Sequence, residues 1–149
     1  MIIKTKFLGD VEIREEDIIV FPDGILGFEE SRKFILLDIP ENEIFKILQD
    51  VEHEYVSFII TDPFKFKKDY EMEVPDNDLL KINIRKKEQI AMFNIVTLSD
   101  VFEKSTMNLL APIIMNTEDR TGKQYVLNNV SYSTKHPLFT EGADTDADS

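Results

Sequence analysis

The chain has no cysteine and no tryptophan, and only two histidines and five glycines in 149 residues. Without cysteine there can be no disulfide, thiolate metal ligand or thiol nucleophile. His53 and His136 lie far apart and fit neither a His-x-His nor a His-Glu-x-x-His metal spacing. No apolar run approaches the ~20 residues of a membrane helix. Met1-Ile2-Ile3-Lys4-Thr5-Lys6 lacks the apolar stretch of a signal peptide. These absences predict a soluble, cytoplasmic protein without a metal or cofactor.

Basic residues are also scarce. Seventeen Lys and Arg face 29 Asp and Glu, giving a formal charge of −12. Residues 1–140 keep −8, because only Glu141, Asp144, Asp146 and Asp148 of the 29 acids lie beyond them. Such a field repels phosphate backbones and argues against direct nucleic-acid binding. It keeps the protein soluble and favours basic protein partners. Two basic clusters stand against it, Lys65-Phe66-Lys67-Lys68 and Arg85-Lys86-Lys87. The first reads as lysines covering a phenylalanine at a strand edge, which also blocks aggregation, rather than as a base-stacking platform.

One domain is expected over residues 1–140. Residues 141–149 form an acidic tail with no large apolar side chain, expected to be disordered. Short runs rich in Ile, Val, Phe and Tyr recur at 18–21, 33–37, 44–48, 55–61, 82–84, 90–98, 109–115 and 125–132, with turn residues between most of them. The run at 90–98 is apolar at successive positions, which predicts a strand buried on both faces and a buried partner for Asn94. Asp119-Arg120-Thr121-Gly122 reads as a hairpin turn. Pro75 with Asp76-Asn77-Asp78 predicts one short capped helix, and 29–33 one helical turn. The pattern predicts an all-β, mainly antiparallel domain, barrel-like or a folded sheet, with one or two short helical turns.

Catalytic signatures are weak. His136, beside Pro137, reads as a turn residue making one backbone hydrogen bond, and His53, between Glu52 and Glu54, as a solvated loop residue. Gly24-Ile25-Leu26-Gly27 has neither the lysine of a P-loop nor the third glycine of a dinucleotide fingerprint. Asp144, Asp146 and Asp148 alternate like calcium ligands but lack the glycine and closing glutamate of an EF-hand. Asp69, Glu71 and Glu73 alternate with Tyr70 and Met72, predicting one exposed strand face that is either merely solvated or an acidic contact patch. No enzyme is predicted.

The most distinctive segment is Thr106-Met107-Asn108-Leu109-Leu110-Ala111-Pro112-Ile113-Ile114-Met115-Asn116. Proline removes a sheet donor, so the run reads as an edge strand or as two pieces split by a bulge. It resembles the asparagine-leucine-alanine-proline run of the bacterial flagellar assembly factor (FliW) family. Three further segments are similar to that family in order and spacing across roughly residues 2–138: Phe21-Pro22-Asp23-Gly24-Ile25-Leu26-Gly27-Phe28-Glu29, Gly122-Lys123-Gln124-Tyr125-Val126-Leu127 and Tyr132-Ser133-Thr134-Lys135-His136-Pro137-Leu138. Lys135 stands where an arginine is as frequent.

The resemblance implies a barrel-like all-β fold and a non-catalytic protein that binds flagellin and antagonises the RNA-binding translational repressor CsrA. Partner contacts are then expected at Asn108, Pro112 and Asn116, taken as an exposed edge open to strand addition, with Leu109, Leu110, Ile113 and Ile114 in the core. Phe28 is either a core plug or an exposed anchor, with Glu29 and Glu30 beside it for a basic partner. Asp69, Glu71 and Glu73 complete the expected contact set. Two rivals stay open: a β-barrel taking an apolar ligand in a Phe- and Ile-lined cavity, and a hydrolase in which His136 converges with a carboxylate.

Overall fold

Residues with branched or aromatic side chains at successive positions can pack on both sides of a sheet, and the long strands are built from them. In a computed structural model that describes residues 1–128 and 131–139, the strands are β1 (Ile2–Thr5), β2 (Gly9–Glu12), β3 (Ile19–Val20), β4 (Lys33–Ile39), β5 (Asn42–Asp50), β6 (Ser57–Thr61), β7 (Ile90–Thr97), β8 (Thr106–Met107), β9 (Ile113–Asn116), β10 (Thr121–Gln124) and β11 (His136–Pro137). One α-helix, α1 (Asp76–Leu80), and a few single 3₁₀ turns accompany them.

β1 and β2 form a separate antiparallel hairpin. The other strands run in the order β11-β8-β7-β6-β5-β4-β3-β10-β9, and β7 also pairs with β9. The last pairing brings the sheet back onto itself. All of its pairings are antiparallel except the short contact of β10 with β3. Inside this circuit, Ile19, Phe34, Leu48, Ile60, Ile113 and Met115 pack around Phe21 and Ile25. Phe21 and Phe34 are fully buried and meet edge to face at 5.3 Å. Each such side chain contributes about 1.5–3 kcal/mol of transfer free energy. On the outer face Phe45, Val96, Met107 and Leu109 join Tyr70, Leu127 and Leu138.

The run at 90–98 behaves as expected: Phe93 and Ile95 of β7 pack inward while Met92 and Val96 pack outward. Buried Asn94 donates from Nδ2 to the carbonyl of Asn108. Its Oδ1 is buried without a hydrogen-bond partner among the described residues.

Several local expectations are corrected. Residues 82–84 are not a strand; they close the turn after α1, where Asn83 adopts a left-handed φ of 60° and Ile82 and Ile84 pack on Ile114. The proline run divides into two short strands, β8 (Thr106–Met107) and β9 (Ile113–Asn116), as the proline suggested, rather than one strand over 109–115. Between them, at 108–112, the chain follows side-chain-capped bends that satisfy the backbone without a ladder. The ladder expected at 125–132 lies earlier, at Thr121–Gln124, because the left-handed residue of the hairpin turn is Arg120 (φ 59°) and Gly122 already belongs to β10. Asn129 and Val130 fall outside the described residues, as does the tail 141–149. In place of a helical turn at 29–33, a β-turn from the Phe28 carbonyl to Ser31 N–H leads into β4. α1 is present, but its N-cap is Pro75, with no side-chain cap from the acidic cluster. The β1–β2 hairpin was not anticipated. It is closed by Thr5, whose hydroxyl accepts from Leu8 N–H and donates to the Gly9 carbonyl.

Candidate partner-binding surface

The Phe21–Glu30 segment crosses one end of the closed sheet. Phe21 and Ile25 anchor it in the core, and the glycines let it turn back. Gly24 has φ 69°, and a side chain there would fall 2.6 Å from the Phe28 carbonyl oxygen. Leu26 and Phe28 are thereby carried outward, 59% and 42% exposed. Phe28 is not a core plug: it is exposed, with one edge of its ring against Phe58 at 5.1 Å. Exposed Glu29 and Glu30 follow, and Glu29 Oε2 accepts from Gly27 N–H at 2.9 Å.

Gln124 sets the height of this loop. Its Oε1 accepts from Leu26 N–H at 2.9 Å, and its Nε2 donates to the Ala111 carbonyl at 3.2 Å. The glutamine of the Gly-x-Gln strand therefore joins the glycine loop to the proline run. Sequence reading quoted the residue but not its role, because its two partners are remote in the chain.

The proline run itself is not an exposed edge. Pro112 and Asn116 are buried and Asn108 is half-buried. β9 is paired on both sides, by β10 and by β7, so it has no free edge for strand addition. Both asparagines work inward. Asn108 Oδ1 accepts from Leu110 and Ala111 N–H, and Asn116 Oδ1 accepts from Glu118 and Asp119 N–H. Asn116 also donates from Nδ2 to the Ile82 carbonyl at 2.9 Å. The Tyr70 hydroxyl donates to the Leu109 carbonyl at 2.6 Å, and burial raises its pKa.

Asp69, Glu71 and Glu73 do point outward while Tyr70, Met72 and Val74 point in, but the backbone is irregular rather than a strand. The segment is held from elsewhere: Tyr132 of the closing motif accepts from Glu71 N–H at 2.7 Å. Asp69 pairs with Lys67 at 3.1 Å, and that hydrogen bond lowers its pKa. Glu71 and Glu73 line a groove of about 1220 Å³ beside α1.

His53 is an exposed loop residue as expected, whereas His136 is not a turn residue. His53 is exposed, but its Nδ1 lies 3.0 Å from Oδ2 of Asp50, whose side chain is 1% exposed. That hydrogen bond raises the His53 pKa, and the charges of Asp50, Glu52 and Glu30 act in the same direction while burial opposes them. Gln49, fully buried, donates to the Asp50, His53 and Glu54 carbonyls of the same corner. His136 lies in β11 opposite Met107. Burial lowers its pKa, Lys67 lowers it further, and Asp69 opposes both. The carboxylate whose charge acts on His136 is Asp69, which is itself paired with Lys67. The interior that an apolar ligand would occupy is filled by Phe21, Phe34, Ile60 and Ile113.

Among the described residues no helix is long and apolar enough to cross a membrane. The sequence model of the FliW protein family matches residues 2–138. The flagellar assembly factor FliW of Clostridium botulinum (strain Langeland) is 41% identical over 143 residues, covering 96% of this chain and all of that protein. Its counterpart from Bacillus subtilis is 43% identical over 141 residues, with 95% and 99% covered. A crystal structure of the flagellar assembly factor FliW superposes with a TM-score of 0.89 at 41% identity, covering 95% of this chain and 99% of that one. A family model matched over residues 2–138, relatives at about 40% identity almost from end to end and a superposable mainly antiparallel sheet mean that the chain belongs to the FliW family.

Proposed function

We propose that the protein is a cytoplasmic flagellar assembly factor that works by binding proteins rather than by catalysis. Its partners are flagellin and the translational repressor CsrA. Holding CsrA off its targets until flagellin claims the factor would couple flagellin synthesis to flagellin export. The observation that carries the flagellar role is the full-length match to flagellar assembly factors at about 40% identity. The surface suits protein binding: Leu26 and Phe28 are held outward by a loop pinned at Gln124, with Glu29 and Glu30 beside them. An apolar pair with an acidic margin fits a partner that presents an apolar side chain among Lys and Arg.

Titration calorimetry with purified flagellin and with purified CsrA tests the reading. Each should bind, and Phe28→Ser should weaken binding by roughly tenfold or more, as loss of an interface aromatic does. CsrA association should slow as salt rises and on reversal of Glu29 and Glu30, because screening acts within ~8 Å at physiological ionic strength. No binding of either protein would refute the proposal.

A further inference from the structure

The groove beside α1 carries its own chemistry. Its floor includes Leu79, Ile84, Ile114 and Tyr125, and its charge is segregated by chain segment. Glu71 and Glu73 come from the chain entering α1 and Asp76 from its first turn; Arg85, Lys86 and Lys87 come from the chain leaving it. The three basic side chains are exposed and make no ion pair among the described residues, despite a formal charge of −12. Exposed cations without an ion pair among the described residues, beside an apolar floor, are complementary to an anionic group on an apolar partner. At about 1220 Å³ the groove exceeds the usual 300–1,000 Å³ of a small-ligand pocket.

The backbone decides how such a partner docks. Ile114 on the floor is paired on both sides, with Lys123 and with Met92. Tyr125 and Leu127 spend their N–H groups on the Pro112 and Leu110 carbonyls. The floor therefore offers side chains rather than a strand edge, and an apolar floor flanked by opposite charges matches the stripe and two margins of an amphipathic helix lying in a groove. We infer that this groove is a docking site, separate from the Phe28 loop, for an amphipathic helix of a partner protein with an apolar stripe, an acidic margin facing Arg85–Lys87 and a basic margin facing Glu71–Asp76.

The test uses three labelled synthetic helices with one leucine stripe, at i, i+3, i+4 and i+7, and different margins: one acidic and one basic, both acidic, or both basic. Fluorescence anisotropy against the full chain should rank the mixed helix tightest. Simultaneous Arg85→Glu, Lys86→Glu and Lys87→Glu substitution should weaken the mixed helix by roughly tenfold and make the doubly basic helix the tightest. Leu79→Asp should weaken all three. Charge reversal at Lys65 and Lys68 should leave the ranking unchanged. Arg85, Lys86, Lys87, Lys65 and Lys68 are exposed, so these variants should keep the parent's circular dichroism. Failure of the mixed helix to bind, or a ranking that ignores the Arg85–Lys87 reversal, overturns the inference. Because neither flagellin nor CsrA is present, failure here would leave the proposed function untouched.

Discussion

A methyl group on Gly122 would fall 2.5 Å from Cζ of Phe21 and under 3.0 Å from both neighbouring ring carbons. Phe21 is fully buried against Phe34, so its ring has nowhere to retreat. The glycine of the Gly-x-Gln strand and the phenylalanine of the glycine loop are thus two halves of one packing arrangement. Gly122→Ala should destabilise the fold by about 1–3 kcal/mol, the range for overpacking a core. Phe21→Leu in the same chain should recover part of the loss, giving a coupling of at least ~0.5 kcal/mol in a urea-denaturation double-mutant cycle. Strictly additive losses would mean that the ring and the glycine are not in contact.

Asn116 separates a structural role from a binding one. Its side chain accepts two turn N–H groups and donates to the Ile82 carbonyl, and the residue is 1% exposed. Asn116→Ala should cost about 2–4 kcal/mol, since buried groups lose partners as well as bonds. Under conditions where the variant is folded, its affinity for flagellin and CsrA should match the parent. A large affinity loss at unchanged stability would return Asn116 to the contact surface.

The two histidines should pull stability in opposite directions with pH. His53 has a raised pKa because Asp50 holds its charged form, with Glu52 and Glu30 adding to the effect. Its contribution is full below the unfolded value of about 6.5 and fades as pH rises through the folded pKa. His136 has a lowered pKa from burial and Lys67, partly offset by Asp69. Its neutral form favours the fold above about 6.5, and that advantage is lost as pH falls. Between about pH 5.5 and 8, His53→Gln should therefore make the melting temperature fall more steeply on acidification than in the parent. His136→Gln should do the reverse. Parallel curves for all three proteins would refute both assignments.

What could be read in advance follows the reach of each interaction. The two-sided strand at 90–97, the hairpin near Asp119–Thr121 and the short helix at Asp76 depend on neighbouring residues, and local patterning showed them. The proline run misled because Pro112 and terminal asparagines ordinarily mark an exposed edge. Here Asn108 and Asn116 satisfy the bends themselves, and β7 covers the strand. Gln124 and Tyr132 act on residues remote in sequence, Leu26 and Glu71, and nothing local announces those bonds. The outward turn of the Phe28 loop was legible from its glycines. The groove beside α1 was not, because the Arg85–Lys87 cluster joins it only where the chain brings Ile114 and Tyr125 alongside.

The final prediction concerns how two partners could exclude each other. The accessible surface is 9246 Å², whereas a standard interface takes roughly 800 Å² from each side, so crowding alone does not force competition. Antagonism requires that one bound protein lower the affinity for the other; equal affinity in both states transmits nothing. On the proposed function, the Leu26–Phe28 loop would serve both partners, since it offers the exposed apolar pair and its acidic margin together. Flagellin added to a preformed complex with CsrA should therefore release CsrA in proportion to occupancy, followed by size-exclusion chromatography or anisotropy. Phe28→Ser should weaken both pairwise complexes, whereas reversal of Arg85–Lys87 should weaken at most one. A stable ternary complex with unchanged affinities would rule out the exchange mechanism even if both pairwise interactions were real.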